Sequence, residues 1–182
     1  MLVLCMHPLQ FRSSPMIKMI WAQDLQRNIG YQGKIAWYLP ADLQHFKKET
    51  LGHVMVMGSK TFTSLPKVLP KRKHYVLTHH PEKYDQIKDN PQVKIFTDLA
   101  ELKNAVQEIN DDVYVIGGRT IFDQFMDLAD ELIVTQIDST FKGDVKASQI
   151  DMNKFKVIDR EFYQRDEKNK YDYEIIKYQK LV

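Results

Sequence analysis

The sequence predicts a single-domain α/β protein in which helices flank a central, mainly parallel, twisted sheet and the chain ends in an antiparallel hairpin. Apolar strand-like runs alternate with helical segments as far as residue 137, and only strand-like runs follow. This order is typical of parallel sheets with helices on both faces and an antiparallel edge. The length of 182 residues suits one domain with one core.

The first half of the chain supplies three of the strands. Pro40 suits the first turn of a helix, where a missing N–H is not needed, and the apolar run before Gly58 indicates a buried strand. We expect a strand over 17–23, a long loop over 24–38, a helix over 40–50, a strand over 53–58, a short helix over 59–65 and a strand over 73–78.

The second half repeats this alternation and then changes to strands. Asp98 is a plausible N-cap for a helix with apolar residues at helical spacing. We expect strands over 93–96, 112–118 and 131–137, a helix through Leu99, Leu102, Val106 and Ile109, a helix through Phe122, Phe125 and Met126, and a terminal hairpin over 155–163 and 171–178.

Composition excludes several classes of protein. The formal net charge is +2 and charges of both signs are spread along the chain, so nucleic acid is not expected as the main partner. No apolar run is long enough to span a bilayer, so no membrane partner is expected. With Cys5 as the only cysteine, no intrachain disulfide or cysteine-based zinc site can form, and we expect a cytoplasmic protein without a metal.

The opening segment stands apart from the rest of the chain. Its apolar start is short, has no preceding basic residues and is broken by His7-Pro8, which argues against a signal peptide. We predict that residues 1–15 are a dispensable extension, that Met16 serves as the working start, and that residues 16–182 form the domain.

One acid lies where a helix should bury its apolar side. In WYLPADLQHF, residues 37–46, Asp42 shares a helix face with Phe46. An acid in the first turn gains a few tenths to about 1 kcal/mol from the helix dipole, which alone would explain it. The alternative is that Asp42 faces a ligand, and the ten residues leave both explanations open.

Two strands end at glycines in the same manner. VMVMGSKTF and VYVIGGRTIF each place glycine and then small and basic residues at the start of a helix. Glycine allows backbone N–H groups to approach a ligand, and helix N-termini attract phosphate. Lys60 and Arg119 add positive charge. Each motif alone fits a simple chain turn equally well, but the pair on one sheet edge could hold both ends of a dinucleotide.

Three further polar residues are candidates for the site. Thr78 and His79 end a strand and could bind an additional phosphate, although a histidine at a strand end is more often simply solvated. Thr135 is β-branched, which already suits a strand. If the strand order places Thr135 under Asp42, its hydroxyl would hydrogen-bond the carboxylate.

The ordered set of motifs resembles the dihydrofolate reductase family, of the bacterial chromosomal type. The resemblance runs from about Ile17 to the C-terminus through WAQDLQRNIG, WYLPADLQHFK, VMVMGSKTF, LPKRKHYVLTH, VYVIGGRTIFDQF and ELIVTQID. It implies NADPH-dependent reduction of 7,8-dihydrofolate to tetrahydrofolate, with hydride going to C6 and a proton to N5, in support of one-carbon metabolism and thymidylate and purine synthesis.

The resemblance assigns the substrate side. Asp42 matches the carboxylate that binds the 2-amino group and N3 of the pterin and promotes protonation of N5, directly or through a water. Thr135 matches the threonine supporting it, and Arg72, assisted by Lys67, matches the arginine that binds the α-carboxylate. The matched pocket-lining residues are Ile20, Ala22, Leu43, Phe46, Leu65, Leu69, Ile116 and Phe122.

The resemblance also assigns the cofactor side. Asn28 to Ile35 matches a mobile loop that closes on the nicotinamide, Gly117 and Gly118 match a pair joined by a cis peptide, and Thr78 and His79 match contacts to the 2′-phosphate. The full matched set is Ala22, Asn28, Ile29, Gly30, Lys34, Ile35, Gly58, Ser59, Lys60, Thr61, Ser64, Leu77, Thr78, His79, Ile116, Gly117, Gly118, Arg119, Thr120, Ile121 and Phe122.

Three departures from the family pattern affect the cofactor side. Ala36 stands where proline is usual, Ser59 stands where an arginine often contacts phosphate, and residues 145–148 replace a common threonine and a later Phe-Pro. Lys60 and His79 would therefore carry more of the phosphate contact.

Two alternatives differ in the residues they require. The related reductase of riboflavin biosynthesis would not need Asp42 or Arg72, and a catalytically silent nucleotide-binding module would keep only the glycine turns. The joint presence of Asp42, Thr135 and Arg72 favours dihydrofolate reduction. We also expect a monomer, since no heptad pattern is evident, and sensitivity to diaminopyrimidine antifolates because residue 122 is Phe rather than Tyr.

Overall fold

A computed structural model of the protein describes residues 15–181. The predicted N-terminal extension therefore lies, apart from Pro15, outside the described residues. No helix within the described part of the chain is both long enough and apolar enough to cross a membrane.

An eight-stranded sheet forms the centre of the molecule. Its strands are β1 Ile17–Gln23, β3 Val54–Gly58, β4 Lys73–Leu77, β5 Val93–Phe96, β6 Val113–Gly117, β7 Glu131–Ile137, β9 Phe155–Tyr163 and β10 Tyr173–Lys180. Its spatial order is β5-β4-β3-β6-β1-β7-β10-β9, and the pairings from β5 through β7 are parallel whereas β7–β10 and β10–β9 are antiparallel. This arrangement confirms the predicted fold class.

Within residues 15–181, four α-helices cover the sheet, two on each face. They are α1 Pro40–Thr50, α2 Ser59–Ser64, α3 Leu99–Gln107 and α4 Arg119–Phe125. Phe46 of α1 and Phe62 of α2 pack with the methionines of β3, whereas Leu102 of α3 and Phe125 of α4 pack with the valines of β3 on the other face. The predicted N-cap is confirmed, because Asp98 accepts a hydrogen bond of 2.9 Å from the N–H of Glu101.

Several elements differ from the sequence prediction. The expected long loop contains a short strand, β2 Asn28–Gly30, which pairs with β8 Val145–Lys146 in a separate two-stranded sheet. Strands of three and two residues are too short to show the alternation that identifies strands in a sequence. The last strand begins at Tyr173 rather than at residue 171, and a 3-10 turn spans Pro81–Tyr84.

Candidate active site

The strand order brings Thr135 directly under the acid of α1. Thr135 lies on β7, between β1 and β10, and its Oγ1 donates a 2.6 Å hydrogen bond to Oδ1 of Asp42. The expected contact is therefore confirmed. Because Thr135 bonds to Oδ1, the second oxygen of Asp42 can bind another partner.

Burial dominates the electrostatics of this acid. Removal from water raises the pKa of Asp42 above its usual range, while the Thr135 hydrogen bond and the nearby His45 oppose the shift with smaller effects. An acid with a raised pKa holds its proton closer to neutral pH and can therefore serve in proton transfer.

An apolar wall surrounds the acid and extends along α1. Phe46 and Ile116 join two apolar clusters on this face of the sheet, one containing Ile20 and Ala22 and the other containing Leu65 and Leu69. The structure thus brings most of the predicted lining residues together. Leu43, which was also predicted to line the pocket, is 50 % exposed and belongs to neither cluster. Phe122 belongs to the cluster on the opposite face, where its ring packs 5.3 Å from that of Trp21.

A buried cation lies at the far end of the wall. Arg72 is only 5 % exposed, and it donates from Nε to the carbonyl of Pro70 at 3.2 Å and from Nη1 to Oγ1 of Thr50 at 3.4 Å. Among residues 15–181, no carboxylate lies within 4.0 Å of its guanidinium. A buried charge requires a partner, so this site suits an anionic ligand. Lys67 is exposed nearby in the chain.

The two glycine-ended strands are neighbours in the sheet. Met57 of β3 lies opposite Gly117 of β6, and α2 and α4 begin directly beyond these strands. A Cβ built on Gly58 would lie 4.0 Å from the carbonyl oxygen of Gly117, and one built on Gly118 would lie 3.5 Å from Oγ1 of Thr61. Both turns therefore open at one edge, as a dinucleotide requires.

In the second turn, Gly117 has no space for a side chain. Gly117 has a φ of 114°, and a Cβ there would lie 3.1 Å from the ring of Phe122. The Gly117–Gly118 peptide bond is cis, which is the geometry that the resemblance implies. Backbone lined by glycine allows a phosphate to approach closely, so these residues fit a dinucleotide.

The side chains beside the two turns serve different purposes. Lys60 is exposed, whereas Ser59 shares a 2.6 Å hydrogen bond with the hydroxyl of Tyr84. Arg119 is already paired, because it donates to the carboxylate of Asp123 at 2.6 Å and to the carbonyl of Lys146 at 2.6 Å. Its charge is therefore less available to a phosphate at the turn.

The remaining predicted cofactor residues surround these turns. Thr78 follows β4 and is buried, with its hydroxyl accepting from the N–H of His80 at 3.0 Å, and His79 is exposed beside it. Asn28 and Ile121 are buried, Ile29, Gly30, Thr61 and Leu77 are half-buried, and Lys34, Ile35, Ser64 and Thr120 are exposed.

The loop after β1 is fixed by residues that the sequence did not single out. The buried carboxylate of Asp24 accepts from the backbone N–H groups of Gln26, Asn28 and Phe141, each at 2.8 Å, and these bonds lower the pKa of Asp24 despite its burial. Further along, the N–H of Gln32 donates to Asp144 at 2.8 Å. The contacts Asp24–Phe141 and Gln32–Asp144 join residues 117 and 112 positions apart, so no local pattern reveals them.

The fold and the site together define a class of protein. A partly buried acid, a glycine-lined edge for a dinucleotide and a buried arginine for an anion describe an enzyme that acts on a small acidic molecule with a nucleotide cofactor.

Comparisons with known proteins identify the family. Residues 16–180 match the family model described as dihydrofolate reductase. A dihydrofolate reductase of Bacillus subtilis (strain 168) is 36 % identical over 165 residues, covering 91 % of this chain and 95 % of its own. One from Lactococcus lactis subsp. lactis (strain IL1403) is 38 % identical over 168 residues, covering 91 % and 98 %.

A solved structure agrees with both. The dihydrofolate reductase from Enterococcus faecalis complexed with NADP(H) and RAB-propyl superposes with a TM-score of 0.83 at 30 % identity, covering 92 % of this chain and 97 % of its own. The chain belongs to the dihydrofolate reductase family. It is accordingly an oxidoreductase of the class that reduces dihydrofolate with NADPH.

Proposed function

We propose that this chain reduces 7,8-dihydrofolate to tetrahydrofolate with Asp42 as the group that binds the pterin and promotes protonation of N5. The observation that carries the proposal is the carboxyl of Asp42, raised in pKa by burial and held by Thr135 at 2.6 Å. The free carboxyl oxygen faces the pterin 2-amino group and N3, and the apolar wall formed by Phe46 and Ile116 excludes water around it.

The other end of the substrate lies at Arg72. Its buried guanidinium offers two parallel donors to the α-carboxylate of the folate tail, which suits the bidentate geometry of an arginine. Because Asp42 lies in the first turn of α1 and Arg72 bonds to Thr50 at the end of the same helix, the substrate would be held at both ends. This fixed placement limits motion of the pterin, which favours the reacting geometry.

The cofactor is held by the glycine edge. We assign the two phosphate turns to Gly58–Thr61 and Gly117–Ile121, and the 2′-phosphate to Lys60, Thr78 and His79. When bound, NADPH supplies the hydride that goes to C6.

A spectrophotometric assay tests the proposed activity. We expect loss of NADPH absorbance that depends on dihydrofolate and that stops with a diaminopyrimidine antifolate. A pyrimidine substrate of the riboflavin reductase serves as the comparison substrate, and it should give no oxidation. Oxidation that depends on that pyrimidine, or no oxidation with dihydrofolate, would refute the proposal.

The proposal also covers the oligomeric state, the location and the N-terminal segment of the enzyme. We propose that it acts as a monomer in the cytoplasm and that residues 1–15 are dispensable. The start of the family match at Met16 and of β1 at Ile17 supports the last point. Removal of residues 1–15 should leave kcat and thermal unfolding unchanged, and a variant that fails to fold would disprove it.

A further inference from the structure

A buried histidine on β4 contacts the segment that carries the arginine. His74 has no exposed surface, and its Nε2 accepts a 3.1 Å hydrogen bond from the N–H of Leu69. On the other side of the ring, Nδ1 lies 3.2 Å from the carbonyl oxygen of Gln92. A carbonyl can only accept, so Nδ1 carries the proton and Nε2 does not. The neutral Nδ1–H tautomer satisfies both contacts.

Gln92 also bonds to the segment from Leu69 to Arg72. Its side-chain Nε2 donates to the carbonyl of Leu69 at 3.3 Å and to the carbonyl of Arg72 at 3.1 Å. Between them, Lys71 has a φ of 57°, a left-handed conformation that is uncommon for a residue other than glycine. Residues 69–72 therefore keep a conformation that contacts from His74 and Gln92 support.

The surroundings of the ring favour its neutral form. Burial lowers the pKa of His74 below its usual range, and the positive charge of Arg72 acts in the same direction, whereas the backbone contacts with Gln92 and Arg72 oppose the shift. The guanidinium of Arg72 is the charged group that acts on this histidine. The ring also packs edge-on against Phe62, with centroids 5.8 Å apart.

We propose that His74 is a positioning residue for substrate binding, which fixes the Leu69–Arg72 segment so that the guanidinium meets the substrate's carboxylate. The proposal rests on the proposed function, because the folate tail is the ligand assigned to Arg72. Because His74 is fully buried, it would act through this segment and not by contact with a ligand. Its loss should therefore weaken binding of dihydrofolate without slowing the chemical step.

Two substitutions of His74 test whether the hydrogen-bond acceptor at Nε2 matters independently of the rest of the ring. In His74→Gln, the side-chain oxygen reaches about the position of Nε2 and can still accept from Leu69. In His74→Asn, the side chain reaches only the position of Nδ1 and loses that bond. We expect the KM for dihydrofolate to rise roughly three- to tenfold in His74→Asn, with kcat and the KM for NADPH unchanged, and to stay near the wild-type value in His74→Gln.

The ligand gives a second readout. A diaminopyrimidine antifolate without a carboxylate has no group for Arg72 to bind, so its Kd should be the same in the wild type and in His74→Asn. His53→Gln, a change at a histidine paired with Asp111, is the matched control for the substitution.

The controls distinguish this inference from the proposed function. If Arg72→Leu raises the KM for dihydrofolate but His74→Asn does not, the inference is wrong and the assignment of Arg72 stands. If neither variant changes that KM, both fail. Should His74→Asn not fold, Gln92→Leu decides, because it removes the donors to the carbonyls of Leu69 and Arg72. A KM for dihydrofolate that is unchanged in Gln92→Leu would then overturn the inference.

Discussion

The proposed cofactor edge and the proposed substrate wall would recognise their ligands by different physical means. At the cofactor edge, glycines at the starts of α2 and α4 leave backbone N–H groups accessible, and the nearby Lys60 and His79 are exposed. At the substrate wall, two side chains of opposite charge, Asp42 and Arg72, are held in apolar or buried surroundings. Backbone geometry dominates the first region and buried charge dominates the second.

This difference predicts how each region responds to mutation. A single side chain at an exposed edge can be lost at a small cost, because water and neighbouring donors replace it. A buried charge has no such replacement. When a buried charged side chain is removed, the charged group that it bound is left unpaired. Changes on the substrate wall should therefore be more severe than side-chain changes at the cofactor edge, while backbone changes at the edge should lie between them.

The largest effect among the binding variants is expected for Arg72→Leu. Loss of a buried charged contact costs about 2–5 kcal/mol, so the KM for dihydrofolate should rise by at least roughly thirtyfold while the Kd for NADPH stays constant. Lys67→Leu removes an exposed charge and should change that KM by no more than about fivefold. Steady-state kinetics with both substrates would measure the contrast, and equal effects of the two variants would contradict it.

A backbone change at the cofactor edge should have an intermediate effect. In Gly117→Ala the new Cβ meets Phe122 at 3.1 Å and the residue has a φ of 114°. Strain of about 1–3 kcal/mol should lower the melting temperature and raise the Kd for NADPH roughly tenfold.

Gly58→Ala is the matched control for this change. Its new Cβ would lie 3.2 Å from the flexible side chain of Ile121, and its φ of −84° is ordinary. Calorimetry and cofactor fluorescence should show the smaller change in Gly58→Ala. If the two variants show the same melting temperature and the same Kd for NADPH, the claim that Gly117 is the strained position of the edge is wrong.

The buried acid should reduce stability at neutral pH. Because burial raises the pKa of Asp42 in the folded protein, the unfolded chain ionises first and folding stability falls as pH rises from the ordinary value near 3.9. Ligand-free Asp42→Asn should melt a few degrees above the wild type at pH 7, and the difference should disappear below about pH 4. Thermal melts across pH would measure this, and a variant that melts lower at pH 7 would contradict it.

The smallest effects should come from the two cations of the glycine turns. Lys60→Ala should raise the Kd for NADPH by about two- to fivefold, as expected for one exposed charge. Arg119→Ala should change that Kd less, because Arg119 is bonded to Asp123 and to Lys146. Its loss should instead speed hydrogen exchange in residues 145–148. A larger change of Kd in Arg119→Ala would reverse the assignment of these two side chains.

The sequence predicted the larger elements because each repeats a pattern over many residues. Short apolar runs between helical segments located the parallel strands, and the glycines that end β3 and β6 indicated the proposed cofactor edge. The pairing of β2 with β8 was not predictable, since it joins segments more than 110 residues apart and involves two or three residues in each. A short strand of this kind has no periodicity of its own.

The substrate wall was predicted only in part for a related reason. Asp42 was recognisable as an acid on an apolar helix face, but its contact with Thr135 spans 93 residues and follows from the strand order. His74, Gln92 and Tyr84 carried no signal, because each acts through a contact with a distant segment. Tertiary packing decided their roles.

The central claim, that Asp42 carries the proton chemistry, is tested most directly by the turnover of Asp42→Asn. The amide can still accept from Thr135 but cannot donate a carboxyl proton, and general acid catalysis contributes about 10²–10⁴-fold. We predict that kcat with dihydrofolate at neutral pH falls at least about a hundredfold while the Kd for NADPH stays unchanged, with Asp98→Asn at the cap of α3 as the control. A kcat for Asp42→Asn close to that of the wild type would contradict the account.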